Sequence, residues 1–193
     1  MRTLAVVTLL LLIGAFVFYS YGRTAYETAE HRVLVDTSPF QLREYSTLQL
    51  VTTPMERGDA EQDGSSFGRL FRYISGDNES GQAISMTTPV FMSGEGDTGR
   101  MSFVVPREVA ANGAPAATHP DIELETMAPG RFAAIRFSGR ATPEALSAAR
   151  RQLENWIDER GWQRTGSAIV AGYDPPFIPP PFRRNEVLYR IKD

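Results

Sequence analysis

The chain contains no cysteine, and that absence removes several chemistries at once. Disulfides, thiolate-bound metals, covalent cofactor attachment through a C-x-x-C-H motif and lipid attachment to an N-terminal cysteine are all excluded. Histidine is nearly as scarce: His31 and His119 are the only two, which rules out a histidine-rich metal site. There is no basic block or acidic run and the net charge is −3, so the cationic face that a nucleic-acid binder uses is missing. Signatures of catalysis are scarce too: there is no H-E-x-x-H helix and no phosphate-binding loop, and the Gly-rich stretch 93–99 separates two strand-like segments rather than leading from a strand into a helix. Both histidines sit among polar residues in loop-like sequence, where a solvent-exposed role outweighs that of a ligand. The acidic pair Asp158-Glu159 at a helix end reads as solvated. The chain reads as a binder before it reads as an enzyme.

What is present begins with a long hydrophobic run. Residues 4–21 are apolar except for Thr8, Gly14 and Ser20. As a helix they would span about 27 Å, close to the hydrocarbon thickness of a bilayer. Tyr19 and Tyr21 suit its interface, so residues 1–23 are expected to be an uncleaved membrane anchor with the bilayer as partner. A cleaved signal peptide is the alternative, disfavoured by bulky Phe16, Val17, Phe18 and Tyr19 where small residues are required. Arg2 and the free amine on the short side imply a single-pass protein whose bulk is extracytoplasmic or periplasmic. Residues 24–32 then form a linker, and 33–193 one domain; roughly 165 residues without the apolar run suffice for one core.

Beyond the linker, apolar and polar residues alternate over 40–45 and 48–53, the period of half-buried strands. Phe67, Leu70, Phe71 and Ile74 then fall at helical spacing, closed by Gly76. Strand-like composition returns at 83–92 and 101–105, with Pro89 marking an edge or bulge. A Pro/Ala/Gly loop over 106–120 divides the chain, and strands follow at 122–127 and 132–138. Thr142-Pro143-Glu144 is a strong helix start for the stripe Leu146, Ala149, Leu153, Trp156 and Ile157. Two last strands lie at 168–173 and 186–191. The order is ββαββ twice over, which predicts an α+β fold with an antiparallel, barrel-like sheet and two packed helices.

Two segments are too apolar for their setting. Phe67-Gly68-x-Leu70-Phe71-x-x-Tyr73-Ile74 gives a short helix a thick aromatic face, and Asp174-Pro175-Pro176-Phe177-Ile178-Pro179-Pro180-Pro181-Phe182 puts three large apolar residues in a stiff loop ending at Arg183-Arg184. Pattern alone allows a core stripe and a rigid cap, with Arg183 or Arg184 paired to Glu186 or another carboxylate. It equally suits a flat amphipathic ligand, with an apolar slot for its ring and cations at the rim.

Phe67-x-x-Leu70-x-x-Tyr73-Ile74-x-Gly76-x-Asn78 followed by Ile84-x-Met86-Thr87-x-Pro89-Val90 resembles the signature of the SOUL/haem-binding protein family. Phe137-Ser138-Gly139, Ala171-Gly172-Tyr173-Asp174-Pro175-Pro176 and Arg183-x-Asn185-Glu186-Val187 are similar to its later motifs, in the same order over roughly residues 33–191. The resemblance implies a distorted eight-stranded antiparallel barrel flanked by two helices. It also implies non-covalent binding of haem or a related tetrapyrrole, for buffering or transfer. The site would lie between the first helix and the Pro-rich loop, with Phe67, Phe71, Phe177 and Ile178 facing it. Basic residues that some relatives place near positions 64 and 178 are absent, leaving Arg72 and Arg183, or Arg69, to meet the propionates. Glu44 stands where some relatives carry a histidine, so no axial iron ligand is assigned; Met86 is expected in the core. An effector- or partner-binding module of the same fold, or a tetrapyrrole-modifying enzyme, are the alternatives.

Overall fold

The computed structural model of the chain describes residues 26–55, 65–94 and 98–192. Among these are strands β1 (Glu27–Thr28), β2 (His31–Thr37), β3 (Phe40–Tyr45), β4 (Leu48–Pro54), β5 (Thr87–Thr88), β6 (Val90–Ser93) and β7 (Arg100–Val104). They continue with β8 (Glu123–Met127), β9 (Gly130–Ser138), β10 (Arg164–Gly172) and β11 (Arg184–Ile191). The helices are α1 (Ser66–Ile74), α2 (Arg107–Asn112) and α3 (Pro143–Asp158), with a 3-10 turn at Pro180–Phe182. Nine strands make one antiparallel sheet in the order β2-β3-β9-β11-β10-β6-β7-β4-β8, while β1 pairs in parallel with β5.

One short link dictates the shape of this sheet. β3 and β4 stand second and eighth in the order, six spacings or ~29 Å apart if the sheet were flat. Only Ser46 and Thr47 join them, a reach of ~11 Å. The sheet must therefore roll until its two ends meet. Its concave face accordingly gathers residues from both ends into one cluster, including Tyr45, Phe132 and Leu188 from one side and Leu50, Phe91 and Val104 from the other. The result is a curled half-barrel.

Both longer helices cover the convex face. α3 starts on a Thr142 cap, whose hydroxyl accepts from the Ala145 N–H, and sets Ala149, Leu153, Trp156 and Ile157 against Ala133, Ile135 and Val187. α1 begins on Ser65, which accepts from the Gly68 N–H, and ends before Gly76 in the left-handed region at φ 109°. It buries Leu70, Tyr73 and Ile74 on Val51 and Phe103, so α1 rides on β4 and β7.

Several expectations change. The α+β class stands, but the sheet has nine strands in a half-barrel rather than eight in a distorted barrel, and there is a third helix among the described residues. That helix, α2, lies in the stretch read as a loop; it buries no residue and so leaves no apolar stripe in the sequence. The strand expected over 83–92 is split, because Pro89 has no N–H to give the ladder between β5 and β6. The linker expected over 24–32 holds β1 and the start of β2; Val33 and Leu34 are exposed on the sheet's edge strand, so no clean alternation marks it. The single-pass, extracytoplasmic location is also corrected: no described helix is long and apolar enough to cross a membrane. Segment 4–21 and the anchor at 1–23, on which that location rested, lie outside the described residues.

The contact between α3 and the sheet rests on Leu153, which has no solvent exposure. Leu153→Ala should cost about 2–5 kcal/mol, against about 1 kcal/mol for Thr142→Ala, in urea denaturation. Equal losses would show that α3 is held by its cap rather than by its face.

Candidate functional site

Apolar exposure in this protein is selective. Four phenylalanines are exposed among the described residues, Phe67, Phe71, Phe177 and Phe182, at 44 to 73%. All four lie on α1 or in the Pro-rich loop. On α1, burying the Leu70/Tyr73/Ile74 stripe turns positions 67 and 71, one helical turn apart, away from the sheet. Their rings stack with centroids 6.1 Å apart, and Phe67 leans edge-on against Phe103 at 5.2 Å.

The loop leaves β10 at Gly172, whose register partner Val90 is in turn paired with Phe103. Its root is thus two strand spacings, ~10 Å, from the residue beneath Phe67. Inside the loop the chain closes on itself: Ile178 N–H donates to Pro175 O at 3.1 Å, and Phe182 N–H to Pro179 O at 2.9 Å. Arg183 Nε donates to Ile178 O at 2.7 Å and a terminal nitrogen donates to Pro176 O. Pro180 O accepts from Gly139 N–H at 3.0 Å and ties the 3-10 turn to the end of β9.

Of the expected site residues, then, Phe67 and Phe71 are brought face to face, and Phe177 is solvent-facing. Ile178 is half-buried and is bound through its carbonyl to Arg183. Arg183 is a loop brace, its donors turned onto carbonyls. Arg72 is exposed at the end of α1. Arg69 points the other way, into the sheet, donating to Thr53 Oγ1 and Pro54 O at 3.0 and 2.7 Å. Met86 packs in the core beneath α1. Of the two histidines, His119 accepts from the Asp121 N–H at the surface, while His31 opens β2 rather than lying in a loop.

His31 is half-buried beside Tyr45, ring centroids 5.0 Å apart, with Nδ1 3.0 Å from Ala29 O. It lines an open groove of about 610 Å³ with Arg32, Tyr45, Pro129 and Gly130. Burial lowers its pKa below 6.5. Deeper on the concave face lies a charged cluster of which pattern reading offered only the pairing of Arg184 with Glu186. Arg43 and Glu186 are buried and joined by two hydrogen bonds of 2.6 and 2.9 Å. Arg136, Arg184 and the Tyr173 hydroxyl donate to the same carboxylate. Burial alone would push the Glu186 carboxyl up, but hydrogen bonds and charge from Arg43, and then from Arg184, outweigh it and hold it at about 2. Burial pushes the Tyr173 hydroxyl up, and the Glu186 charge adds to that. One signal was available: strand parity places Arg43 with Tyr45, and Glu186 with Leu188, at core positions.

The profile of the SOUL heme-binding protein family matches residues 26–190, nearly the whole described region. The chain belongs to that family. Among SOUL relatives, heme-binding protein 1 of Sus scrofa is 25% identical over 150 residues, covering 74% of this chain and 76% of its own. Heme-binding protein 1 of Xenopus tropicalis is 26% identical over 162 residues, covering 80% and 84%. Solved structures extend the fold further. An uncharacterized conserved protein from Listeria innocua superposes with a TM-score of 0.60 at 11% identity, over 82% of this chain and 94% of its own. The EcmrR C-terminal domain does so with a TM-score of 0.55 at 13% identity, over 80% and 97%. At such identities the likeness shows the SOUL fold alone.

The ionisations found here set an acid limit on stability. Glu186 binds its proton near pH 4.5 when unfolded and near 2 when folded, so its contribution is complete above 4.5 and is lost as pH falls towards 2. The shift corresponds to about 3 kcal/mol. His31, with a lowered folded pKa, adds a loss that begins as pH falls below 6.5. Urea midpoints should fall slightly from pH 7 to 5.5, a fall abolished by His31→Gln, and steeply below pH 4.5. A profile flat from pH 7 to 3 would contradict both assignments.

Proposed function

We propose that this chain binds haem or a related tetrapyrrole non-covalently, over the apolar surface formed by Phe67 and Phe71 of α1 and by Phe177 with its Pro-rich loop. The observation that carries the reading is the placement of every exposed phenylalanine among the described residues on these two segments. A contiguous exposed apolar patch commonly marks a surface on which something docks. Stacked and edge-on rings give a flat apolar ligand a matching surface, and five prolines between positions 175 and 181 keep the loop from collapsing over it. Membership in the SOUL family supports the ligand class, as do relatives named for heme binding. The absence of cysteine leaves no thiol for a covalent link.

The site residues then divide the work. Phe67 and Phe71 supply the ring face, and Phe177 the opposing wall. Ile178 and Arg183 hold the loop's shape through the Arg183 braces. Arg72, exposed one residue beyond Phe71, is the cation nearest the aromatic pair in sequence. The role is reversible holding or transfer of the ligand.

Haemin added to the full chain should give a saturable Soret change. Phe71→Asp and Phe177→Asp should each weaken binding by roughly tenfold or more, since each replaces buried aromatic area with a charge. Both positions are solvent-facing in the free protein, so the melting temperature should stay within a few degrees of the parent. No saturation at micromolar protein would defeat the proposal.

A further inference from the structure

The Glu186 carboxylate has more donors than it can serve. Its Oε1 accepts from Arg43 at 2.9 Å, Arg136 Nε at 3.2 Å, and two Arg184 nitrogens at 3.0 and 2.8 Å. Oε2 accepts from Arg43 at 2.6 Å and from the Tyr173 hydroxyl at 2.9 Å. A carboxylate offers about four lone-pair sites, and six donors converge on this one. Charge is unbalanced in the same sense: three guanidiniums surround one carboxylate. Asp174, the nearest other acid in the loop, accepts from the Arg184 backbone N–H at 2.5 Å.

The surplus is open to solvent. Arg43 is sealed inside, whereas the Arg136 and Arg184 side chains are 48% and 25% exposed. Arg136 spends only Nε on Glu186, and its two terminal nitrogens have no partner among the described residues. Arg184 lies 3.7 Å over the Tyr173 ring, which fixes its plane. Because Arg136 pairs with Glu186 and Arg184 with Ser138, the two arginines are diagonal neighbours on one face of β9 and β11, with Cβ atoms ~7 Å apart. Behind them the Tyr45 hydroxyl is buried beside Arg43 and Tyr173 on the same concave face.

We infer that Arg136 and Arg184 form a receptor for the carboxylate of an organic acid at the open edge of the concave face. Guanidinium forks match a planar carboxylate, and Glu186 already shows that geometry from within. The incoming anion would take the N–H groups that Glu186 cannot, and would offset part of the excess positive charge. Arg43 and Glu186 act as the positioning pair beneath, and Arg136 and Arg184 as the contact pair. The assignment does not rest on the tetrapyrrole reading, since the carboxylate can be a tetrapyrrole propionate or belong to a separate fatty or aromatic acid.

Calorimetry on the full chain tests this with decanoate against decanol, and with haemin against its dimethyl ester, in the parent and in Arg136→Gln. The receptor predicts that at least one acid binds better than its uncharged counterpart. It also predicts that Arg136→Gln removes roughly tenfold or more of that preference, the loss expected for a charge-assisted contact. Preference for decanoate identifies a free acid as a source; preference for haemin over the ester identifies the propionates. If neither acid outcompetes its neutral analogue, or if the preference survives in Arg136→Gln, the receptor is overturned. Haemin and its ester binding equally well would then leave the tetrapyrrole reading standing. Decanoate binding without haemin binding would remove that reading and keep the receptor. The acid-against-neutral comparison in the parent needs no variant, so it decides even if Arg136→Gln fails to fold.

Discussion

The two residues Ser46 and Thr47 constrain the whole molecule. They join strands that are six spacings apart in one continuous sheet, so the sheet has no choice but to curl. Curling creates two unlike surfaces. The convex one is apolar and takes both longer helices; the concave one brings together residues that no local pattern connects. Every candidate site described above follows from that division.

On the convex side, α1 can satisfy only one stripe. Leu70, Tyr73 and Ile74 go into the sheet, and Phe67 and Phe71 are left facing solvent. An ordinary surface helix would carry polar residues there. The Pro-rich loop repeats the situation by another route: its own carbonyls are closed by Arg183 and by short turns, and Phe177 and Phe182 stay exposed. Two independent local solutions thus leave aromatic area exposed near the same strand ends. On the concave side the constraint is electrostatic. Burying Arg43 is tolerable only with Glu186 in contact, and removing either partner would leave an uncompensated buried charge.

Much of the fold was legible because it rests on local signals. The Thr142-Pro143 start of α3, the Gly76 end of α1, and the alternation of β3 and β4 all depend on residues within a few positions of one another. What escaped was decided at longer range or by weak patterns. β2 is an exposed edge strand with little alternation, and α2 buries nothing. The distorted eight-stranded barrel became a nine-stranded half-barrel because sheet order is a property of distant pairings. The aromatic part of the candidate site could be named from Phe67, Phe71 and Phe177, since apolar residues in a loop or doubled on a helix stand out. Its cations could not. Arg183 reads as a free rim charge in sequence, yet in the structure it braces the loop, while Arg136 gains its significance from meeting Glu186 across strands and Arg184 from joining it along β11.

The central claim is that the exposed phenylalanines of α1 and the Pro-rich loop form the surface on which a tetrapyrrole rests. Amide NMR of the full chain titrated with gallium protoporphyrin IX, which is diamagnetic, locates that surface directly. The expected result is that the largest shifts cluster in residues 66–74 and 173–184. Shifts confined to the opposite strand ends, around His31, Tyr45 and Gly130, would contradict it.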